Sequence, residues 1–276
     1  MTTRTTTDRL VTDLSIEIVD RIDRALVSAE SVFASLDVSR VTEMRKEGGD
    51  PLTHVDLALD RALRDSLQAE GEGWLSEETA DDLSRLDADL VWIVDPLDGT
   101  REFIDGLPEF CFSVAAVVDG APIAGGVLNP AAGIRVVGAV GVGVTCNYEP
   151  VSQSASVPIE ESKVLASRTE VTRGQWGVVE AAGISVEPMG SVAYKMARVA
   201  AGLDRATWTP EPKHEWDVAG GAALLAAVGG SAVGLEGENL VFNQPRPWFS
   251  GVIAVPPGFE IHLETVKRLV RLQQAG

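Results

Sequence analysis

Residues 92–103 read WIVDPLDGTREF: an apolar run that stops in a proline-locked pair of aspartates, Asp95 and Asp98, and passes at once into Gly99 and Thr100. The run starts two residues earlier. LVWIVDP (90–96) is short, continuous in apolar residues and closed by turn formers, the pattern of a buried strand. The aspartates have an ordinary reading, because Pro, Asp and Gly are the commonest turn residues and a type I turn capped by its own Asp side chains uses the same letters. The choice depends on whether other carboxylates in the chain converge on this one.

Upstream, residues 8–36 carry Leu10, Leu14, Ile18, Ile22 and Leu26 at helical spacing, and 53–70 repeats Val55, Leu59, Leu63 and Leu67 behind a capping-type Thr53. RKEGGDP (45–51) between them is a loop by its Gly and Pro content. Downstream, CFSVAAVVDGAPIAGGVLNP holds an Asp-Gly turn between two apolar runs, a hairpin signal, and IRVVGAVGVGVTCNY continues as strand. The polar stretch 150–161 divides the chain into an N-terminal lobe (1–150) and a C-terminal lobe (151–276). In the second lobe, KVLAS (163–167) reads as a strand. Helices are expected near 172–182, at 191–202, at 216–230 and over LETVKRLVRLQQ at the C-terminal end. Strands and helices alternate without a regular βαβ period, so the expected class is a layered α/β (α+β) fold with antiparallel or mixed sheets.

The 276 residues are 45% hydrophobic and carry a net charge of −18, with a pI near 4.5. Such an acidic surface argues against a nucleic-acid polymer as partner, since that needs basic groups to displace counterions. No apolar run approaches the roughly 18 residues that span a bilayer, and MTTRTTTDRL lacks the apolar core of a secretory signal, so a cytoplasmic protein without a membrane partner is expected. Cys111 and Cys146 form neither a metal spacing nor a redox pair and read as buried thiols.

Four acidic sites stand out: Asp56 in THVD, Glu77-Glu78 in WLSEET, Asp95 and Asp98, and Asp217 in HEWD. Hard carboxylate oxygens in a cluster suit Mg²⁺, and one aspartate bridging two ions would make a two-metal phosphoryl-transfer site. Pro96 would turn the Leu97 carbonyl towards a metal, and the amides of Gly99 and Thr100 would receive phosphate oxygens. Each site also has a plain alternative: Asp56 as capping-box partner of Thr53, Glu77-Glu78 as a solvated pair, Asp217 as a helix cap.

Taken together, LSEE, DPLDGT and EWDVAGG resemble the inositol monophosphatase superfamily of Mg²⁺-dependent, lithium-sensitive phosphatases, and its 3′(2′),5′-bisphosphate nucleotidase branch, from about Lys46 to beyond Phe242. The resemblance implies an αβαβα sandwich, two or three Mg²⁺ ions, a small phosphate ester as substrate, and a homodimer. By position, Glu77, Asp95 and the Leu97 carbonyl would hold the first metal and Asp95, Asp98 and Asp217 the second, with Glu77 touching a third through water. Asp56 and Thr100 would orient and deprotonate the attacking water, with Glu78 supporting the ligands from behind.

For the substrate, GSVAYK (190–195) resembles a segment in which Ser191 and Lys195 meet the second phosphate of an adenosine bisphosphate. Ser167-Arg168 resembles part of a nucleotide pocket, and Glu215 belongs to the nucleotidase form of the last motif. Lys195 reads equally as a lysine reaching to solvent from an exposed helix face. The first loop departs from the pattern, with Gly48 where the family has an acid and Asp50 as a possible compensation. Trp208 reads as core and His214 as surface.

The expected activity is hydrolysis of 3′-phosphoadenosine 5′-phosphate to AMP and phosphate. Inositol phosphate or another sugar or nucleoside phosphate is the alternative, and a metal-dependent phosphate-binding module the non-enzymatic one. A haloacid-dehalogenase site would need its two aspartates two residues apart, not three, and no EF-hand spacing occurs.

Overall fold

In the computed structural model, residues 6–37, 43–45, 51–152 and 158–275 are described. Helix α1 (Thr6–Ser35) is followed by the short antiparallel pair β1 (Glu43–Arg45) and β2 (Pro51–Thr53) and by α2 (His54–Leu67). Then come β3 (Gly73–Ser76), β4 (Leu90–Asp98), α3 (Thr100–Ile104), β5 (Cys111–Val118), β6 (Ala121–Asn129), β7 (Ile134–Ala139), β8 (Gly143–Cys146) and β9 (Glu149–Pro150). These strands form one seven-stranded sheet in chain order, antiparallel throughout except for the parallel β3–β4 pair.

The second half supplies β10 (Lys163–Ser167), α4 (Arg168–Thr172), α5 (Gly177–Ala181), β11 (Ser185–Met189), α6 (Val192–Ala200), β12 (Ala206–Thr209), β13 (Lys213–His214), α7 (Glu215–Val228), β14 (Ser231–Val233), β15 (Trp248–Phe249), β16 (Val252–Val255) and α8 (Leu263–Ala275). A mixed five-stranded sheet has the order β11-β10-β12-β16-β14, and β13 pairs with β15 separately.

The layers follow from alternation along β4. Trp92 and Val94 pack into a core with Ile18, Ile22 and Leu26 of α1 and Leu59 and Leu63 of α2. Val91 and Ile93 point the other way, into a core shared with α6, α7 and with Leu165, Val252 and Ala254 of the second sheet. The far face of that sheet buries Val164, Trp208 and Ile253 against α5 and α8. A strand covered on both faces must be apolar throughout, which is why LVWIV shows no polar alternation. Helix, sheet, helix, sheet and helix layers result: the expected αβαβα sandwich.

Consecutive glycines in β6 set how closely these layers approach. A Cβ on Gly125 would sit 2.5 Å from the Gly220 carbonyl oxygen of α7, and one on Gly126 would sit 2.4 Å from Ile22 Cγ2 of α1, on the opposite face. Gly125→Val is therefore expected to cost about 2–3 kcal/mol by overpacking. Urea denaturation measures this, and a loss under about 0.5 kcal/mol would mean that α7 has room to retreat.

Two expectations are corrected. The helix expected near 172–182 is broken into α4 and α5 around Gly174, whose φ of 77° leaves the helical region. Leu14 is 49% exposed, so the buried stripe of α1 runs instead through Ile18, Ile22, Ala25, Leu26 and Ala29. Gly48 and Asp50 lie outside the described residues. Trp208 is core and His214 exposed, as expected. Cys111 is buried, whereas Cys146 is only half-buried. No helix among the described residues is long and apolar enough to cross a membrane.

Candidate active site

The proline-locked aspartates form a strand irregularity, and the type I turn is not formed. Asp95 pairs with Ser113 and Asp98 with Cys111, so β4 spends one more residue than β5 between these partners. Aspartates three apart on a regular strand would face opposite sides of the sheet. The extra residue, at a proline that has no N–H to give the ladder, brings both back to one face. That face is the one covered by α6 and α7. The Leu97 amide donates to Asp95 Oδ1 at 3.0 Å, which fixes the buried Asp95 side chain. Gly99 follows at φ 93°, and a Cβ there would sit 2.7 Å from the Glu109 carbonyl oxygen, so only glycine fits.

Three carboxylates from distant parts of the chain meet here. One oxygen each of Glu77, Asp95 and Asp217 lies within 4.8 Å of the others. Glu77 sits on the loop after β3, and α2 holds that loop through Asp60, which accepts from Ser76 Oγ at 2.5 Å and from Thr79 Oγ1 at 3.0 Å. Ser76 Oγ in turn accepts from the Glu78 amide at 3.2 Å. Asp217 is in the first turn of α7, where its Oδ2 accepts from the His214 amide at 2.9 Å. Capping and converging are thus compatible, because a carboxylate has two oxygens.

Asp56 divides its oxygens in the same way. Thr53 donates its amide (2.8 Å) and hydroxyl (2.5 Å) to Oδ2, while Thr100 Oγ1 approaches Oδ1 at 3.1 Å. Thr100 Oγ1 also lies 2.9 Å from the Leu97 carbonyl oxygen, so one hydroxyl proton has two acceptors.

Glu77, Asp95, Thr100 and Asp217 line a cleft of about 420 Å³, together with Leu97, Asp98, Gly99, Glu102, Ser167, Ser191, Lys195 and Lys213. Burial, then the charge of Asp98, raises the Asp217 carboxyl to about 8. Burial likewise raises Asp56 and Glu102. Convergent hard oxygens that repel one another suit a divalent cation such as Mg²⁺, so the residues present fit the metal that the sequence implies.

Asp98 reaches across to the second half of the chain. Its Oδ2 accepts from Ser191 Oγ at 2.6 Å and from the Ala193 amide at 2.7 Å, at the start of α6. Ser191, at φ 56°, also accepts from the Tyr194 amide at 3.0 Å, so its one proton is given to Asp98. Lys195 is not on an exposed face. It is 2% exposed on the cleft wall, donates to the Met189 carbonyl oxygen at 3.1 Å, and is lowered to about 8 by burial.

Two expected substrate residues are engaged elsewhere. Arg168 Nη2 donates to both carboxylate oxygens of Glu109, at 2.5 and 2.6 Å, and does not line the cleft, whereas its neighbours Ser167 and Thr169 do. Glu215 is fully buried away from the cleft, where it accepts from the Asn243 and Gln244 amides at 2.7 and 2.9 Å. Burial raises it to about 7. Arg85 ties the same loop, donating to Asn243 Oδ1 at 2.5 Å and to the Gln244 carbonyl oxygen at 2.9 Å, so Glu215 and Arg85 together seat the start of α7 and with it Asp217. Sequence reasoning missed Asp60, Arg85, Glu102, Glu109 and Lys213. Of these, Asp60 alone carried a signal, one helical turn after Asp56.

A family model, the inositol monophosphatase family, matches residues 10–273, and the chain belongs to that family. It is a phosphatase of the inositol monophosphatase type, and the family is metal-dependent, generally on Mg²⁺. An inositol-1-monophosphatase of Mycolicibacterium smegmatis is 30% identical over 239 residues, covering 81% of this chain and 83% of the relative. A 3′-phosphoadenosine 5′-phosphate phosphatase of Mycobacterium bovis is 32% identical over 190 residues, 68% of this chain and 70% of the relative. The solved Thermotoga maritima IMPase superposes with a TM-score of 0.78 at 25% identity, covering 93% of this chain and 98% of that one.

Proposed function

We propose that the chain is a Mg²⁺-dependent phosphomonoesterase whose preferred ester is 3′-phosphoadenosine 5′-phosphate, cleaved to AMP and phosphate. The observation that carries the reaction is the convergence of Glu77, Asp95 and Asp217 on the cleft floor beside the Asp56–Thr100 pair. Glu77, Asp95 and the Leu97 carbonyl would hold one ion and Asp95, Asp98 and Asp217 a second. Bound there, Mg²⁺ supplies neutralisation of charge on the phosphoryl oxygens and lowers the pKa of water.

The chain's own groups orient the attack. Thr53 occupies Asp56 Oδ2 and leaves Oδ1 to accept from Thr100. With its O–H directed at Asp56, the Thr100 oxygen presents a lone pair to an attacking water. That water's proton passes to Thr100 as the Thr100 proton passes to Asp56, a general-base relay. Burial makes Asp56 the better base. Gly99 and Thr100 line the cleft, and their amides would receive phosphate oxygens. Glu78 supports the loop that carries Glu77.

For the nucleotide ester, support comes from Lys195 on the cleft wall, from the GSVAYK segment and from the mycobacterial relative of that name. Glu215 and Arg168 lend none, being engaged elsewhere. A second reading, inositol monophosphatase, is favoured by the relatives that carry that name. Phosphate release with Mg²⁺, with and without Li⁺, across 3′-phosphoadenosine 5′-phosphate, myo-inositol 1-phosphate and fructose 1,6-bisphosphate separates the two. Preference for the inositol ester discards the nucleotide. Binding without turnover of any ester leaves a phosphate-binding module.

Thr100→Val keeps the shape and removes the hydroxyl, so turnover is expected to fall about a hundredfold or more with KM little changed. Steady-state kinetics checks this, and an unchanged kcat would remove Thr100 from the relay.

A further inference from the structure

We infer that Ser191 is a positioning residue for the cation site: it aims the Asp98 carboxylate from across the cleft and binds no part of the ester. The inference rests on the phosphatase reading above, and it places Ser191 on the metal side of that site.

A serine hydroxyl has one proton and two lone pairs, and at Ser191 all three are committed. The proton goes to Asp98 Oδ2 at 2.6 Å. One lone pair accepts from the Tyr194 amide at 3.0 Å, in the first turn of α6. The other meets Cys111 Sγ at 3.3 Å, and because the carboxylate takes the Ser191 proton, the thiol is the donor there. Nothing remains for a substrate oxygen, although Ser191 lines the cleft. Asp98 and Cys111 are cross-strand partners at the end of β4 and the start of β5. Two neighbouring strands of the first half of the chain thus grip one hydroxyl of the second.

Asp98 needs such a hold. Among the described residues, Glu77, Asp95 and Asp217 converge within 4.8 Å of one another, and Asp98 is not in that group. Its aim is set instead from α6, where Ser191 Oγ and the Ala193 amide, at 2.7 Å, both donate to Oδ2 and leave Oδ1 to a cation. The backbone is strained to make these bonds. Ser191 lies at φ 56° and ψ 117°, a conformation that residues with a side chain rarely adopt. Its neighbour is tied down as well, the Gly190 amide donating to Glu109 Oε2 at 2.7 Å. A serine kept in such a conformation is explained when its side chain does something that glycine cannot, and here that is the bond to Asp98. The competing role is that of a helix cap. It accounts for the Tyr194 bond and leaves the shorter bond to Asp98 without a reason.

The test titrates Mn²⁺, in place of Mg²⁺, into the metal-free full chain by calorimetry, for wild type, Ser191→Ala and Ser191→Gly. In both variants at least one ion should bind about tenfold more weakly. The Mg²⁺ concentration for half-maximal phosphate release should rise to match, with KM for the ester at saturating Mg²⁺ within about threefold of wild type. Ser191→Gly separates aiming from folding. Glycine relieves the positive φ, so this variant should melt above Ser191→Ala while losing as much metal affinity. Metal affinity that recovers in Ser191→Gly would overturn the inference and leave a helix cap. Metal affinity unchanged in both variants would also overturn it, and a raised KM in that case would return Ser191 to the substrate. If wild type binds Mn²⁺ but turns over no ester, the phosphatase reading fails and the titration still decides the role of Ser191. If wild type binds no Mn²⁺, both fail.

Discussion

Asp95→Asn lowers phosphate release by about a thousandfold or more while the protein stays folded. Asp95 is the member of the cluster with least freedom: it is 1% exposed, its Oδ1 accepts from the Leu97 amide, and it lies on the strand irregularity that also aims Asp98. An asparagine keeps the shape but replaces one hard, charged oxygen with an N–H group that cannot ligate Mg²⁺. The backbone is unchanged, and one charge leaves a group of mutually repelling carboxylates, so the metal-free variant should melt no lower than wild type. Turnover by malachite-green phosphate assay and thermal unfolding in EDTA measure the two sides. Activity within tenfold of wild type would mean that chemistry does not occur at the Glu77–Asp95–Asp217 cluster.

That cluster was legible in the sequence because its members announce themselves by local rules. Asp217 stands in the first turn of α7, where helix capping favours acids, as its neighbour Asp56 does in α2, and Asp95 directly follows the apolar run LVWIV. The capping readings of Asp56 and Asp217 held as well, since in each one oxygen caps and the other faces the site. The layered fold was legible for a similar reason, as LVWIV is apolar at every position only if helices cover both faces. Substrate residues were harder. Lys195 and Glu215 occupy helix positions whose environment is set by tertiary packing, the cleft wall around Lys195 and, for Glu215, the loop at Asn243–Gln244, 28 and 29 residues away. Arg168 is claimed by Glu109, 59 residues away in sequence. No local pattern announces such a partner.

Removing Mg²⁺ should make the protein progressively less stable as pH rises from 4 to 8, and restoring it should reverse most of that loss. The sign follows from proton counts. Asp217 titrates near 8 in the folded chain against 3.8 as an ordinary aspartate, and Glu215 near 7 against 4.5, in both cases chiefly through burial. Between those limits the folded state binds more protons than the unfolded one, so stability is present at low pH and lost as pH climbs through the folded values. A pH unit of difference is worth about 1.4 kcal/mol, and the two groups act in the same direction over this range. Divalent cations bind the ionised cluster, so their stabilisation grows over the same range, by about 2.7 kcal/mol at a hundred times Kd. Glu215 is outside the cleft, so its share of the loss should persist with Mg²⁺ present. Thermal unfolding at pH 5 and pH 8, each in EDTA and in Mg²⁺, gives four melting temperatures. A gap between the EDTA and Mg²⁺ values that widens towards pH 8 supports the site, whereas a metal-free melting temperature that rises with pH would mean these carboxylates ionise freely and the cluster carries no unmet negative charge.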